Sequence, residues 1–139
     1  MDRWNDRKNM MKAKELKFKA TSTSGEVSAL LLAPDDAGWL LVFAHGAGAG
    51  MRHSFMEAAS QHLAKHGVAT FRYQFPYIEH GGKRPDPKPT LLTTVRSAIK
   101  VAVRSAPGLM VLIYHTHHKA EKVMGFTEYL LIFSLQAFE

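Results

Sequence analysis

The sequence predicts an α/β fold: a mainly parallel sheet flanked by helices and entered through an N-terminal β-hairpin. Three observations predict it. Two runs without a charged side chain, 39–44 (WLLVFA) and 109–114 (LMVLIY), have the character of strands buried on both faces, as parallel strands are. Two longer stretches, 55–66 and 90–105, carry apolar residues at helical spacing. Ahead of them, residues 15–21 alternate between apolar and basic side chains, which is the pattern of a half-buried edge strand.

In chain order, Leu16, Phe18 and Ala20 alternate with Lys17 and Lys19, and Thr23-Ser24-Gly25 supplies a turn. Residues 27–33 form the returning strand of the hairpin, and Pro34 to Gly38 a loop before the central strand at 39–44. The first helix, 55–66, is expected to place Phe55, Ala59 and Leu63 on one face with Met56 beside them, and to end at Gly67 in a left-handed cap. Ser54 and Glu57 fit an S-x-x-E capping box at its start. A strand at 68–75 follows, closed by Pro76, and 77–89 reads as a polar, proline-rich loop. The second helix carries Leu91, Leu92, Val95, Ile99 and Val103 on a broad apolar face suited to lying on a sheet, and Pro107-Gly108 ends it before the strand at 109–114.

Composition narrows the chemistry. A chain of 139 residues with 46% hydrophobic content is one domain with a real core. The absence of cysteine excludes disulfide scaffolds, cysteine nucleophiles and thiolate metal sites. No apolar run approaches the length of a membrane span, and the first residues lack the apolar core of a signal peptide, so the expectation is a cytoplasmic protein. The net charge of +6 gathers before Ala20, and residues 1–14 read as a basic arm. That arm has few interleaved aromatics and no recognition motif after it, so it is expected to be solvated rather than bound to nucleic acid.

The stretch from His45 to Gly50 (HGAGAG) sets the function. Alternating glycine and alanine leave backbone N–H groups uncovered between a strand and a helix start, a natural place for negative charge. A Walker-type phosphate loop would need G-K-[ST], but Met51 and Arg52 follow Gly50. A G-x-G-x-x-G dinucleotide fingerprint meets Met51 or His53 where its third glycine belongs, although Arg72 could then serve a 2′-phosphate. An oxyanion loop, in which a His-Gly pair closes the third strand and N–H groups just after it face a developing negative oxygen, fits without a mismatch.

The segments 43–51, His53-Ser54-Phe55-Met56, 71–77 (FRYQFPY) and Lys83-Arg84-Pro85-Asp86 resemble the dienelactone-hydrolase-like α/β-hydrolases of bacteria, over roughly residues 16–112. The resemblance implies the N-terminal half of the α/β-hydrolase fold and hydrolysis of a carboxylic ester or related acyl bond of a small molecule by a serine nucleophile, without a cofactor. It implies an oxyanion loop at His45, Gly46, Ala47 and Gly48, with Ala47 as the leading backbone donor and His45 shaping the loop. Arg72, Tyr73 and Tyr77 would border the active-site mouth.

The chain departs from the family where the family turns through its nucleophile elbow. No G-x-S-x-G occurs in the sequence, and the strand at 109–114 runs into His115-Thr116-His117-His118. No catalytic nucleophile, acid or base is therefore assigned. Ser54 and Ser105 lack an elbow around them. Back-translated two bases out of frame, residues 119–125 permit codons for Gly-Gly-Lys-Ser-Tyr-Gly, so 119–139 reads as an atypical tail compatible with a frameshift, after a partial hydrolase-like domain at 15–118. On this reading the chain is truncated and impaired in catalysis. Its last core strand would present an open edge that invites self-association, and 129–133 (YLLIF) would be an apolar run without a partner. Two further readings accompany it: a non-catalytic binding or scaffold protein, and a weak metal site at His115, His117 and His118, completed by Glu121, His80 or His45.

Overall fold

The computed structural model describes residues 9–46, 48–115 and 131–133, with backbone alone at 114–115 and 131–133. The chain order is β1 (Lys14–Thr21), β2 (Gly25–Leu32), β3 (Trp39–Ala44), α1 (Ser54–Ala64), β4 (Val68–Tyr73), α2 (Pro76–Glu79), α3 (Lys88–Ser105), β5 (Met110–His115) and β6 (Leu131–Phe133). One sheet joins the strands in the order β1-β2-β4-β3-β5-β6. Parallel pairing is confined to the centre, where β3 lies between β4 and β5. The hairpin β1-β2 adds antiparallel to β4, so the sheet is mixed, with its parallel part where the two helical crossovers return the chain.

The strand patterns follow from alternation. Ala69, Phe71 and Tyr73 of β4, Leu40, Val42 and Ala44 of β3 and Phe18 and Ala20 of β1 share one apolar core, covered by Ala98 and Ala102 of α3. The small helical residues let α3 lie close to the sheet, so the expected face of Leu91, Val95, Ile99 and Val103 forms the flanks of the contact. Two prolines start α3 earlier than expected: Pro87 is its N-cap and Pro89 lies in its first turn, where a missing N–H costs nothing.

Four expectations are corrected. Helix α1 buries Met56, Ser60 and Ala64, whereas Phe55 is 60% exposed; the inward face is rotated because its neighbours on β4 are polar. The capping box does not form: His53 is the N-cap, its Nδ1 accepting from the Phe55 N–H at 3.2 Å, and Glu57 turns to Arg72 instead. The presumed loop after Pro76 begins with the short helix α2, whose Pro76 and Tyr77 are buried. Finally, the outer edge of β5 is not open along its length, because Leu131, Ile132 and Phe133 pair antiparallel with Ile113, Leu112 and Val111.

The basic arm is attached at its base. Met11 donates its N–H to Gln61 Oε1 at 3.1 Å and accepts from Gln61 Nε2 at 2.8 Å, a two-way bond that ties the chain to α1 just before β1 begins. Among the described residues no helix is long and apolar enough to cross a membrane.

Candidate active site

At the end of β3 the chain enters the glycine loop through His45, which is 4% exposed. Its Nδ1–H donates to the Gly46 carbonyl at 2.9 Å and its Nε2 accepts from the Phe75 N–H at 3.1 Å. Both ring nitrogens are thereby used by a neutral imidazole, and Phe75 and Tyr77 stand edge-on around it. Burial holds the His45 pKa below the ordinary value, against the opposing pull of the Gly46 carbonyl. A residue so placed fixes backbone geometry; it is not poised to take a proton from a nucleophile.

Past His45, Gly48 and Gly50 adopt φ of +79° and +75°, the left-handed conformation that favours glycine. Ala47, the expected oxyanion donor, lies outside the described residues. The loop closes on Met51, which is held from both sides. Its N–H donates to Gln74 Oε1 at 2.9 Å, and its carbonyl accepts from Arg72 Nη1 at 3.2 Å. A side chain at Gly50 would meet that same Gln74 amide at 3.4 Å, so the loop packs directly on the residues that follow β4.

Arg72 is the centre of this clamp. It is fully buried, and its Nη2 lies 2.7 Å from Glu57 Oε2 on α1, so one guanidinium joins β4, the loop and the helix. Burial alone would raise the Glu57 carboxyl, but hydrogen bonds from Gln61 and Arg72, with the charges of Arg72 and Arg52, hold it below its ordinary value. The expectation that Arg72 and Tyr73 border an open mouth is corrected here. Both belong to a strand covered on its two faces, Arg72 beneath α1 and Tyr73 in the apolar core, and burial drives the Tyr73 phenol strongly upward. The same burial keeps Arg72 from reaching a nucleotide 2′-phosphate.

Tyr77 does approach the loop. Its hydroxyl lies beside the Gly48 backbone; burial raises its pKa, the Gly48 backbone opposes the rise and nearby Asp86 adds to it. Asp86 in turn accepts from the Tyr77 N–H at 2.9 Å, and Gly82 donates to the Tyr77 carbonyl at 2.7 Å, so the segment from Lys83 to Asp86 serves to seat α2. Sequence reasoning missed Gln74 and Glu57 as loop-positioning residues. Glu57 carried a local signal that pointed elsewhere, and Gln74 carried none.

Three of the described serines are committed elsewhere, and Ser60 of α1 is fully buried with its Oγ unpartnered among the described residues. Ser105 Oγ donates to Val101 O and Ser97 Oγ to Ala20 O, while Ser28 Oγ donates to Glu79. Ser54 is the first residue of α1. His115 ends β5, and His117 and His118 lie outside the described residues, as does Glu121. His80 bonds to the Ser24 carbonyl at 3.0 Å, and among the described residues no group of three or more His, Asp or Glu side chains could hold a metal.

A family model described as an alpha/beta hydrolase domain matches residues 37–113, from the loop before β3 into β5. The chain belongs to the α/β-hydrolase family. Its fold is similar to that of the α/β serine hydrolase XC6422 of Xanthomonas campestris, a protein without a lid, at 14% identity and a TM-score of 0.60, covering 74% of this chain and 50% of that one. An α/β serine hydrolase homologue of Coxiella burnetii matches with a TM-score of 0.58 at 11% identity, covering 74% of this chain and 51% of that one. The esterase Est22 matches at 16% identity with a TM-score of 0.59, covering 73% of this chain and 34% of that one. The chain thus spans between about a third and about half of the length of these hydrolases. No curated protein matches it in sequence.

Proposed function

We propose that this chain carries the oxyanion-binding half of an acyl-hydrolase site, for carboxylic esters or related acyl bonds of small molecules. The observation that supports it most is the two-sided clamp on Met51 together with the doubly bonded His45. Between them they pin both ends of a glycine loop whose N–H groups would otherwise be free to wander. In this reading the N–H of Ala47 faces the oxygen that becomes negative when a serine hydroxyl adds to the acyl carbon. A donor offered from a loop held at both ends would need little reorganisation as that charge develops.

The serine, its base and its acid are not supplied by these residues, so the chain alone is expected not to turn over. The proposal extends to the tail: residues 119–139 would be read out of the frame that encodes the elbow. Sequencing the coding DNA from Leu109 onward and translating each frame tests this directly. If another frame contains G-x-S-x-G after β5, the protein made from the repaired frame should hydrolyse p-nitrophenyl esters and label with a fluorophosphonate, while the present chain does neither. In that repaired protein, Ala47→Pro, which removes the proposed donor, should lower kcat by roughly 10²–10³-fold. Labelling of the present chain, or an unaffected Ala47→Pro variant, would sink the assignment.

A further inference from the structure

Outside the candidate active site, the end of α1 and the turn that follows it bring two imidazoles together. His62 and His66, one helical turn apart and both exposed, have ring centres 4.8 Å apart. His66 Nδ1–H donates to the His62 carbonyl at 3.0 Å, which fixes that ring's tautomer and leaves Nε2 as the nitrogen with a lone pair for a ligand. A backbone carbonyl on the second ring nitrogen is the usual support of a metal-bound histidine, because it orients the ring and raises its basicity.

The spacing fits one metal ion between the rings. With metal–nitrogen bonds of about 2.0–2.1 Å, roughly 1.15 Å more to each ring centre and an N–metal–N angle of about 100°, the ring centres come to lie about 4.9 Å apart. The rings therefore stand near the separation a shared ion would impose. The negative end of the helix dipole favours a cation at this turn, and Lys65, which lines the adjoining groove with His62, is the charge that opposes it. We propose that His62 and His66 form a two-histidine chelate for a late first-row divalent cation, Cu²⁺ or Zn²⁺, with water completing the coordination.

The consequence is mechanical as well as chemical. His66 immediately precedes Gly67, whose carbonyl accepts from the Gly38 N–H at 3.0 Å, so an ion across the two rings would stiffen the turn that feeds β4. Imidazole selects Cu²⁺ over Zn²⁺ and leaves Mg²⁺ and Ca²⁺ unbound, which gives an expected order.

The test uses the full chain with His115, His117 and His118 replaced by Asn, so that the tail histidines do not compete. Titration calorimetry with CuCl₂ and ZnCl₂ should show one equivalent bound, with Cu²⁺ the tighter, and a Cu²⁺ spin-resonance spectrum should show two coupled nitrogens. His62→Gln and His66→Gln should each weaken binding at least about tenfold, since the second ligand then no longer binds as a local, high-concentration partner. Because both side chains are exposed, unchanged far-UV circular dichroism should accompany these losses. Absence of binding in the tail-substituted chain, equal binding of Mg²⁺, or Cu²⁺ affinity unchanged in His62→Gln would each overturn the proposal.

Discussion

Beneath α3 the sheet presents Phe18, Phe71, Tyr73, Val42 and Leu40, and the helix answers with alanines; beneath α1 the sheet sets Thr70 and Arg72 among Leu30, Leu32 and Phe43, and the helix answers with Met56, Ser60 and Glu57. One face is held by close apolar packing, which is non-directional and tolerant of small shifts. The other adds to its apolar contacts directed bonds from a buried guanidinium, costly to desolvate but able to fix a backbone carbonyl in one place. The glycine loop is attached to the second face. A flexible backbone that must present N–H groups in one arrangement needs directional anchors, and apolar packing does not provide them.

This difference can be broken from either side. The largest effect is expected from Phe71→Ala, which opens a cavity among Phe18, Tyr73 and α3 and should cost about 3–5 kcal/mol in urea unfolding. In the surviving native state, amide exchange at Gly48 to His53 should remain as in the parent, because no anchor of the loop has been touched. Glu57→Gln should reverse that pattern. It leaves the Arg72 cation buried without its anion, and since Glu57 is itself partly hydrated the cost should be nearer 2 kcal/mol. Amide exchange at Met51 should then rise by more than the global loss of stability explains; equal exchange in both variants would refute the division between the faces.

A smaller effect sharpens the role of His45. Its folded pKa lies below the unfolded value, so the unfolded chain takes up the proton first and stability is complete above about pH 6.5. As pH falls from there toward the folded pKa, stability should decline by at most about 1.4 kcal/mol per pH unit from this group. Comparing urea midpoints at several pH values for the parent and His45→Asn, which has no titrating ring, should show that slope reduced in the variant. The smallest effect is expected at Thr70, fully buried with a hydroxyl that has no hydrogen-bond partner among the described residues. Thr70→Val should be neutral or stabilising by up to about 1 kcal/mol, a sign opposite to that at Glu57 on the same face. A loss of more than 1 kcal/mol would mean that the hydroxyl participates in the clamp.

Legibility in the sequence followed the range of the interactions. The central strand was readable to the residue, Trp39 to Ala44, because an unbroken apolar run bounded by Gly38 and His45 leaves few alternatives. The loop after it was readable because glycines at 48 and 50 are themselves the backbone information, and both adopt positive φ. The inward face of α1 was not readable. Helical spacing alone favoured Phe55, Ala59 and Leu63, whereas the buried positions are Met56, Ser60 and Ala64. That choice depends on a partner strand carrying Thr70 and Arg72, and no local pattern contains it.

By itself, then, the sequence determined the order of β1 to β5 with α1 and α3 between them, the hairpin, the exclusion of cysteine chemistry and the position of a bare loop at the end of β3, all properties of short segments and their own backbone preferences. Only the tertiary structure decided what holds that loop. Glu57 reaches a residue 15 positions away in sequence, across an interface between helix and strand, in place of the helix end three positions before it. The physical reason is the buried guanidinium. Once β4 places Arg72 beneath α1, an unpaired cation there would cost more than an unmade capping box, and the carboxylate goes to the charge.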